Sequence, residues 1–114
     1  MSNAKKGLPQ WMEKYKSDDD LFQTLALLES EHEVRRFLYA IVTADERSML
    51  ANRWRVVMLI YEGYTVSQIY ELTGIAKGTI SEVKKWVVNV RKADEVCRIF
   101  YKRHRDFRIN QSND

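Results

Sequence analysis

Three segments of this sequence have the form of a helix capping box, in which Ser or Thr precedes Glu or Gln by three positions. They begin at Ser30, Thr43 and Thr65. Because the two side chains of a capping box satisfy backbone N–H groups at a helix start, each box predicts the first turn of a helix. No segment alternates apolar and polar residues between turn signals, as a half-buried strand would. The sequence therefore predicts an all-α protein.

Apolar residues at spacings of three and four extend these starts into about six helices. Gly63 is typical of a helix end, and Asp18 of a helix start that follows a short first helix containing Tyr15. The pattern over residues 89–94 allows either a break or a continuous helix. Helix starts are expected near Pro9, Asp18, Ser30, Thr43, Thr65 and Ala76, with a last helix carrying Val96, Ile99 and Phe100.

The length of 114 residues is that of one domain, which we place at residues 8–107. Residues 1–7 are expected to be disordered, and Met1–Ala4 resembles the remnant of an expression tag. Residues 108–114 are polar and are expected to fray. No apolar run reaches the roughly 20 residues that span a membrane, and no signal peptide is visible. Together with the single cysteine, Cys97, these features predict a cytoplasmic protein.

The net charge of +3 conceals an uneven distribution of charged side chains. Residues 1–76 carry 9 basic and 11 acidic side chains, whereas residues 77–114 carry 10 basic and 5 acidic ones. A basic segment of this kind favours a polyanionic partner such as nucleic acid. A solvated basic helix face would have the same composition, so charge alone leaves both interpretations open.

The segment 65–85 has the pattern of two helices separated by a turn at Gly74. Glycine adopts the left-handed conformation without a steric penalty, so it can end the first helix abruptly. Apolar residues fall where two such helices pack on each other, which is typical of a helix–turn–helix. They are Ile69, Ile75, Ile80 and Val83, while Tyr70 is larger than the residue usual at a helix crossing. A helical hairpin in a bundle core is the alternative interpretation.

The residues after the turn are mostly small, which suits a recognition helix whose first residues enter the major groove. Backbone N–H groups, hydroxyls and lysines there can bind phosphate, and Glu82 can accept a hydrogen bond from a cytosine amino group. We therefore expect double-stranded DNA to be contacted by Thr65, Ser67, Gln68, Ala76, Lys77, Gly78, Thr79, Ser81, Glu82, Lys84 and Lys85.

Three short segments carry a more specific pattern: L-A-N-R-W-R (Leu50–Arg55), E-G-Y-T (Glu62–Thr65) and T-G-I-A-K-G-T-I-S-E-V (Thr73–Val83). Together they resemble the Trp repressor superfamily, and in particular its YerC/YecD-type branch. The similarity extends over about Leu21–Phe100. It implies a Trp repressor-like intertwined homodimer of about six helices that regulates transcription, as a repressor, from a pseudo-palindromic operator.

The small-molecule pocket that the resemblance implies matches only in part. Thr43 and Arg53 stand at positions that line the corepressor pocket of the Trp repressor. Glu82 stands where that protein has a second arginine, so its carboxylate would repel the carboxylate of L-tryptophan. We therefore expect no L-tryptophan corepressor, and another effector is left open. An alternative role for Arg53 is a buried ion pair, for which Glu82 is one candidate partner.

No other residues form a recognisable catalytic or metal-binding pattern. His32, His104 and Cys97 lack the spacing of metal ligands, and Asp18 to Asp20 are read as a helix cap rather than a cation site. We expect neither enzyme activity nor a cofactor. Two rival functions remain: a helical protein–protein adaptor with the same fold, and the DNA-binding subunit of a mobile-element system.

Overall fold

The computed structural model describes residues 7–14 and 18–112, and within these ranges all regular secondary structure is helical. A 3-10 turn over Met12–Lys14 precedes six α-helices. They are α1 (Asp19–Leu27), α2 (Glu31–Ile41), α3 (Ala44–Tyr61), α4 (Val66–Thr73), α5 (Lys77–Asn89) and α6 (Arg91–Ser112). No helix in the described ranges is both long and apolar enough to cross a membrane. The predicted all-α fold with about six helices is confirmed, while Tyr15 and residues 1–6 lie outside the described residues.

The helix starts lie at the predicted capping boxes. The Oγ of Ser30 accepts a hydrogen bond from the amide of Glu33 at 3.1 Å, as the box requires. The carboxylate of Glu33, however, accepts from the amide of Glu29 at 2.8 Å, one residue before the expected donor. α3 begins at Ala44, directly after Thr43.

The first of two compact units ends at Thr43 and contains α1 and α2. Asp18 is the N-cap of α1, although its side chain makes no capping hydrogen bond. No residue of either helix is buried. Large apolar side chains therefore remain exposed on both helices, including Leu21, Phe22, Leu27, Tyr39 and Ile41.

The second compact unit begins at Ala44 and contains the buried core of the described chain. α5 contributes three residues at spacings of three and four, so one side of this helix packs against α3 and α4. The core consists of Val56, Val57, Ile69, Ile75, Ile80, Val83 and Val87. The four residues expected to pack at the helix–turn–helix are all in this set, which confirms that prediction.

α6 is a separate helix that begins immediately after the residue linking it to α5. That residue, Val90, has φ −101° and ψ 99°, an extended conformation that interrupts the helical hydrogen bonds. The break that the sequence left open over residues 89–94 is therefore present. α6 continues to Ser112, into the segment that we expect to fray.

Two tyrosine hydroxyls attach α6 to the C-terminal end of α3. Tyr61 donates a hydrogen bond to Oδ1 of Asp94 at 2.9 Å, and Tyr101 donates one to Oε2 of Glu62. The rings of Tyr61 and Tyr101 also contact each other, with centroids 5.3 Å apart. The hydrogen bonds join residues 33 and 39 positions apart in the chain, so no local sequence pattern predicts them.

Candidate nucleic-acid interface

α4 begins with the complete capping box predicted at Thr65. The Oγ1 of Thr65 accepts from the amide of Gln68 at 3.1 Å, and the Oε1 of Gln68 accepts from the amide of Thr65 at 2.8 Å. Both backbone donors are thereby satisfied. Thr65 and Gln68 are exposed, as is Ser67 between them, so this helix start is accessible to a ligand as well as fixed in shape.

The turn between α4 and α5 is held by a glycine and a threonine. Gly74 has φ 77°, and its amide donates to the carbonyl oxygen of Tyr70 at 2.9 Å, which closes the end of α4. The hydroxyl of Thr73 donates to the carbonyl oxygen of Ile69 at 2.7 Å and accepts from the amide of Ile75 at 3.1 Å. The role of Gly74 was predicted, whereas that of Thr73 was missed; its signal is a short hydroxyl side chain directly before the turn glycine.

The turn is anchored because Ile75 within it, and one isoleucine of each flanking helix, are buried. Ile69 and Ile80 are fully buried, and Ile75 is 8% exposed. They pack in one cluster with Val56 and Val57 of α3. The orientation of α5 relative to α3 and α4 is therefore set by close packing rather than by the turn alone.

The predicted DNA-contacting residues all lie on the exposed surface of this unit. In α5, all residues from Lys77 to Asn89 other than the three buried ones are exposed. The exposed residues of the segment formed by α4 with its N-cap, the turn and α5 include Thr65, Ser67, Gln68, Ala76, Lys77, Gly78, Thr79, Ser81, Glu82, Lys84 and Lys85.

The start of α5 has the properties of an anion-binding helix end. Its N-cap, Ala76, makes no side-chain capping hydrogen bond, and the first turn contains no acidic residue. Backbone N–H groups at a helix start carry partial positive charge and point outward along the axis. With Lys77 and Thr79 beside them, these groups can bind a phosphate oxygen.

Tyr70 does not occupy the crossing between the two helices, despite its position in the sequence. Its side chain is 45% exposed, and the Nζ of Lys77 lies 5.2 Å from the centroid of its ring. Through this cation–π contact, the side chain of Lys77 at the start of α5 reaches back across the turn to α4. A large residue is tolerated at this position because it points outward, while Ile69 packs inward.

A model of the family described as Trp repressor protein matches residues 16–98 of the chain. The match runs from before α1 into α6 and includes the whole candidate interface. The chain belongs to the Trp repressor family. This is a family of DNA-binding regulators rather than enzymes, and it accounts for the helix–turn–helix formed by α4 and α5.

Similarity to a relative confirms the predicted resemblance of this Trp repressor-family chain to the YerC/YecD-type branch. It is 36% identical over 67 residues to "Uncharacterized protein YerC" of Bacillus subtilis (strain 168). The aligned part covers 59% of this chain and 64% of the relative, which is less than two thirds of the relative's length. No solved structure matches the chain.

The residues at the corepressor positions of the family do not form the buried ion pair that was the alternative interpretation of Arg53. Thr43, Arg53 and Glu82 are all exposed. No ion pair joins Arg53 to Glu82 in the described part of the chain, so the interpretation of Arg53 as half of a buried pair is wrong. Burying both charges would remove their hydration, which the attraction within one pair often fails to offset.

Across the residues that the structure describes, the other reactive side chains are not arranged as a metal site, and the cysteine is not activated as a nucleophile. Among the described residues, no three His, Cys, Asp or Glu side chains lie close enough to hold a metal ion. Burial raises the pKa of the Cys97 thiol, and the nearby Asp94 carboxylate adds to the effect. The reactive thiolate is therefore disfavoured, and Cys97 packs against the apolar core.

Proposed function

We propose that this chain is a cytoplasmic transcriptional regulator, a repressor, that binds double-stranded DNA sequence-specifically as a homodimer. The start of α5 carries the proposal: it is exposed, has no capping side chain and follows a turn that is anchored by the buried Ile75. In helix–turn–helix proteins the recognition helix contacts base edges through its first residues. A rigid mount is what such a helix needs to place those residues reproducibly.

The exposed residues divide into two roles according to their chemistry. Lys77, Thr79, Ser81 and Glu82 lie in the first half of α5, where side chains can reach base edges or adjacent phosphates. Ala76 and Gly78 are small enough for the backbone to approach the groove closely. The remaining residues position the protein on the phosphate backbone: Thr65, Ser67, Gln68, Lys84 and Lys85.

The charge distribution supports the same assignment. Residues 77–114 carry 10 basic and 5 acidic side chains, and the lysines of α5 are all exposed. Association with a polyanion is accelerated and strengthened by such a surface. Lys84 and Lys85 supply charge on the same helix as the proposed base contacts, so electrostatic attraction acts directly at the interface.

A homodimer accounts for the apolar surfaces that the single chain leaves in water. Large apolar side chains of α1 and α2 are exposed, with Leu27 76% and Phe22 57% accessible. Soluble monomers rarely expose so many large apolar residues together. A second copy would cover these helices and present two copies of α5, and helix–turn–helix dimers read half-sites roughly 34 Å apart.

We expect this regulator to act without L-tryptophan. Glu82 supplies a carboxylate at the position where the family has its second arginine, and Arg53 and Thr43 are the remaining matches to the corepressor pocket. A ligand carboxylate placed near Glu82 would be repelled rather than bound.

Selection from a random duplex library tests the proposal, at about 150 mM salt, where bare charge attraction is much reduced. Enrichment of a palindromic site by the native chain without added ligand is the expected result. Lys77→Ala should lose that enrichment. Lys92→Ala removes the same charge from the first turn of α6 and should retain it.

If the native chain enriches no site, the proposal fails and the helical adaptor becomes the better interpretation. If it enriches a site only when a partner protein is added, the mobile-element subunit is favoured. An enzyme gene adjacent to this one would support that second outcome.

A further inference from the structure

A cleft of about 460 Å³ lies between the C-terminal halves of α3 and α4 and the second half of α6. Its volume is within the range of small-molecule sites, about 300 to 1,000 Å³. α3 contributes Arg55, Met58 and Leu59, which share one side of that helix, and Glu62 follows directly after its last residue. Sequence analysis missed this cleft because α6 supplies its opposite wall.

The base of the cleft is apolar. Met58 and Leu59 are partly buried in the cleft wall, and Leu72 of α4 lies beside them with 67% of its surface exposed. Exposed leucine next to other apolar side chains favours contact with an apolar group, since both surfaces then leave water. A ligand in this cleft therefore needs an apolar body.

The charged residues of the cleft leave one guanidinium unbalanced. The Oε2 of Glu62 accepts the hydrogen bond from Tyr101 and lies 3.6 Å from the Nη2 of Arg108, so the Glu62 charge is already engaged. Arg55, by contrast, forms no ion pair with any carboxylate in the described part of the chain. The cleft therefore presents a guanidinium that can bind an anion.

His104 adds an aromatic ring from α6 to the wall of the cleft. Its Nδ1 is buried without a hydrogen-bond partner among the described residues. Native structures leave few buried polar atoms unpaired, because each one costs free energy. This nitrogen is closed off from solvent, so it is not itself a contact for a molecule in the cleft, and the anionic group of a ligand is assigned to Arg55 alone.

We propose that the cleft binds a small organic carboxylate with an apolar body. The carboxylate pairs with the guanidinium of Arg55, whose planar fork matches two carboxylate oxygens, and the apolar body lies on Met58, Leu59 and Leu72. This site differs from the corepressor positions of the family. Arg53 and Arg55 are two residues apart on α3, so their side chains point about 200° apart around the helix.

The position of the cleft links such a ligand to the helix–turn–helix. Leu72 and Thr73 both line it, and they are the last residues of α4 before the turn at Gly74. A bound carboxylate would hold this end of α4 against α3 and α6. Its effect on DNA affinity rests on the DNA-binding function proposed above, whereas the binding itself does not.

Titration of the full-length chain with phenylacetate, followed by amide NMR shifts, tests the site. We expect saturable shifts at the amides of Leu72, Thr73 and His104. Phenylacetamide has the same shape without the charge, and it should bind about tenfold more weakly, since a charge-assisted pair is lost. Arg55→Gln should weaken phenylacetate to the same extent, whereas Arg53→Gln should leave it unchanged; both positions are exposed, so neither variant threatens the fold.

The proposal is overturned if acetate, phenylacetate and naphthylacetate all fail to give saturable shifts at these residues. It is also overturned if phenylacetamide binds as well as phenylacetate, or if Arg53→Gln weakens binding as much as Arg55→Gln. None of these measurements contains DNA. Failure of this site is therefore distinguishable from failure of the regulatory function.

Discussion

The hydroxyl of Tyr61 donates a hydrogen bond to the carboxylate of Asp94, with Oη and Oδ1 2.9 Å apart, and so joins α3 to α6. Burial, reinforced by this hydrogen bond, raises the pKa of Tyr61 above its usual range. Asp94 also accepts from the guanidinium of Arg98, and Arg98 and Tyr61 together lower the pKa of its carboxyl group. The contact fixes the start of α6 on α3, the helix whose Val56 and Val57 pack in the core with α5.

Replacing Tyr61 with Phe should lower the free energy of unfolding by about 1 kcal/mol, because Asp94 loses a partly buried donor. Urea denaturation measures the change. Tyr70→Phe is the matched control, since the hydroxyl of Tyr70 has no hydrogen-bond partner in the described structure. An equal loss in both variants would show that the Tyr61 hydroxyl contributes nothing specific.

The stability of the chain should depend on pH through Asp94. The pKa of its carboxyl group is lower in the folded state than its ordinary value of 3.8. Its contribution is therefore fully present above that pH and is lost as the pH falls through the folded-state pKa. Asp94→Asn should make the free energy of unfolding less dependent on pH in this acid range. Glu71→Gln, at an exposed position of α4, is the control variant.

Alanine should have opposite effects on stability at two glycines of the helix–turn–helix. Gly74 has φ 77°, and a Cβ added there meets no atom within 4 Å, so the cost is backbone strain of about 1 kcal/mol. Gly78 lies in the first turn of α5 and also has open space around it. There alanine should raise the free energy of unfolding by up to about 1 kcal/mol through helix propensity. Thermal denaturation of both variants checks the signs.

Gly78→Ala should also separate stability from DNA affinity. If α5 approaches the groove as closely as we propose, a methyl group on its first turn obstructs the contact. The variant should then be more stable and bind the selected operator more weakly, as measured by fluorescence anisotropy. Unchanged affinity would place Gly78 outside the protein–DNA contact.

Lys84→Ala should weaken binding to all duplex sequences alike. Losing one phosphate contact should reduce the slope of log affinity against log salt by about one ion. Anisotropy titrations on the selected operator and on a scrambled duplex, over a series of salt concentrations, measure both effects. A loss confined to the operator would instead make Lys84 a base-reading residue.

Local signals predicted the parts of the fold that depend on residues close together in the chain. The capping box at Thr65, the turn at Gly74 and the packing of Ile69 with Ile80 each involve residues within about three helical turns. At Ser30 the second hydrogen bond of the capping box differs from the prediction. The Glu33 carboxylate accepts from the amide of Glu29 rather than from that of Ser30, because a glutamate side chain can reach more than one nearby amide.

Contacts between distant residues were not predictable in the same way. The hydrogen bonds of Tyr61 and Tyr101 depend on how α6 docks on α3, and so does the cleft beside Arg55, because His104 and Arg108 of α6 line it. The exposure of Arg53 likewise depends on which part of α3 the other helices cover. Composition and periodicity carry no information about such docking.

The arrangement of α5 has an evolutionary consequence. Only Ile80, Val83 and Val87 of its 13 residues are buried, and these three hold it in place. Substitutions at exposed positions usually change the free energy of unfolding by about 0.5 kcal/mol or less. Gene copies encoding this chain can therefore diverge on the outer side of α5 and acquire new operators, without approaching the stability threshold below which the protein is lost.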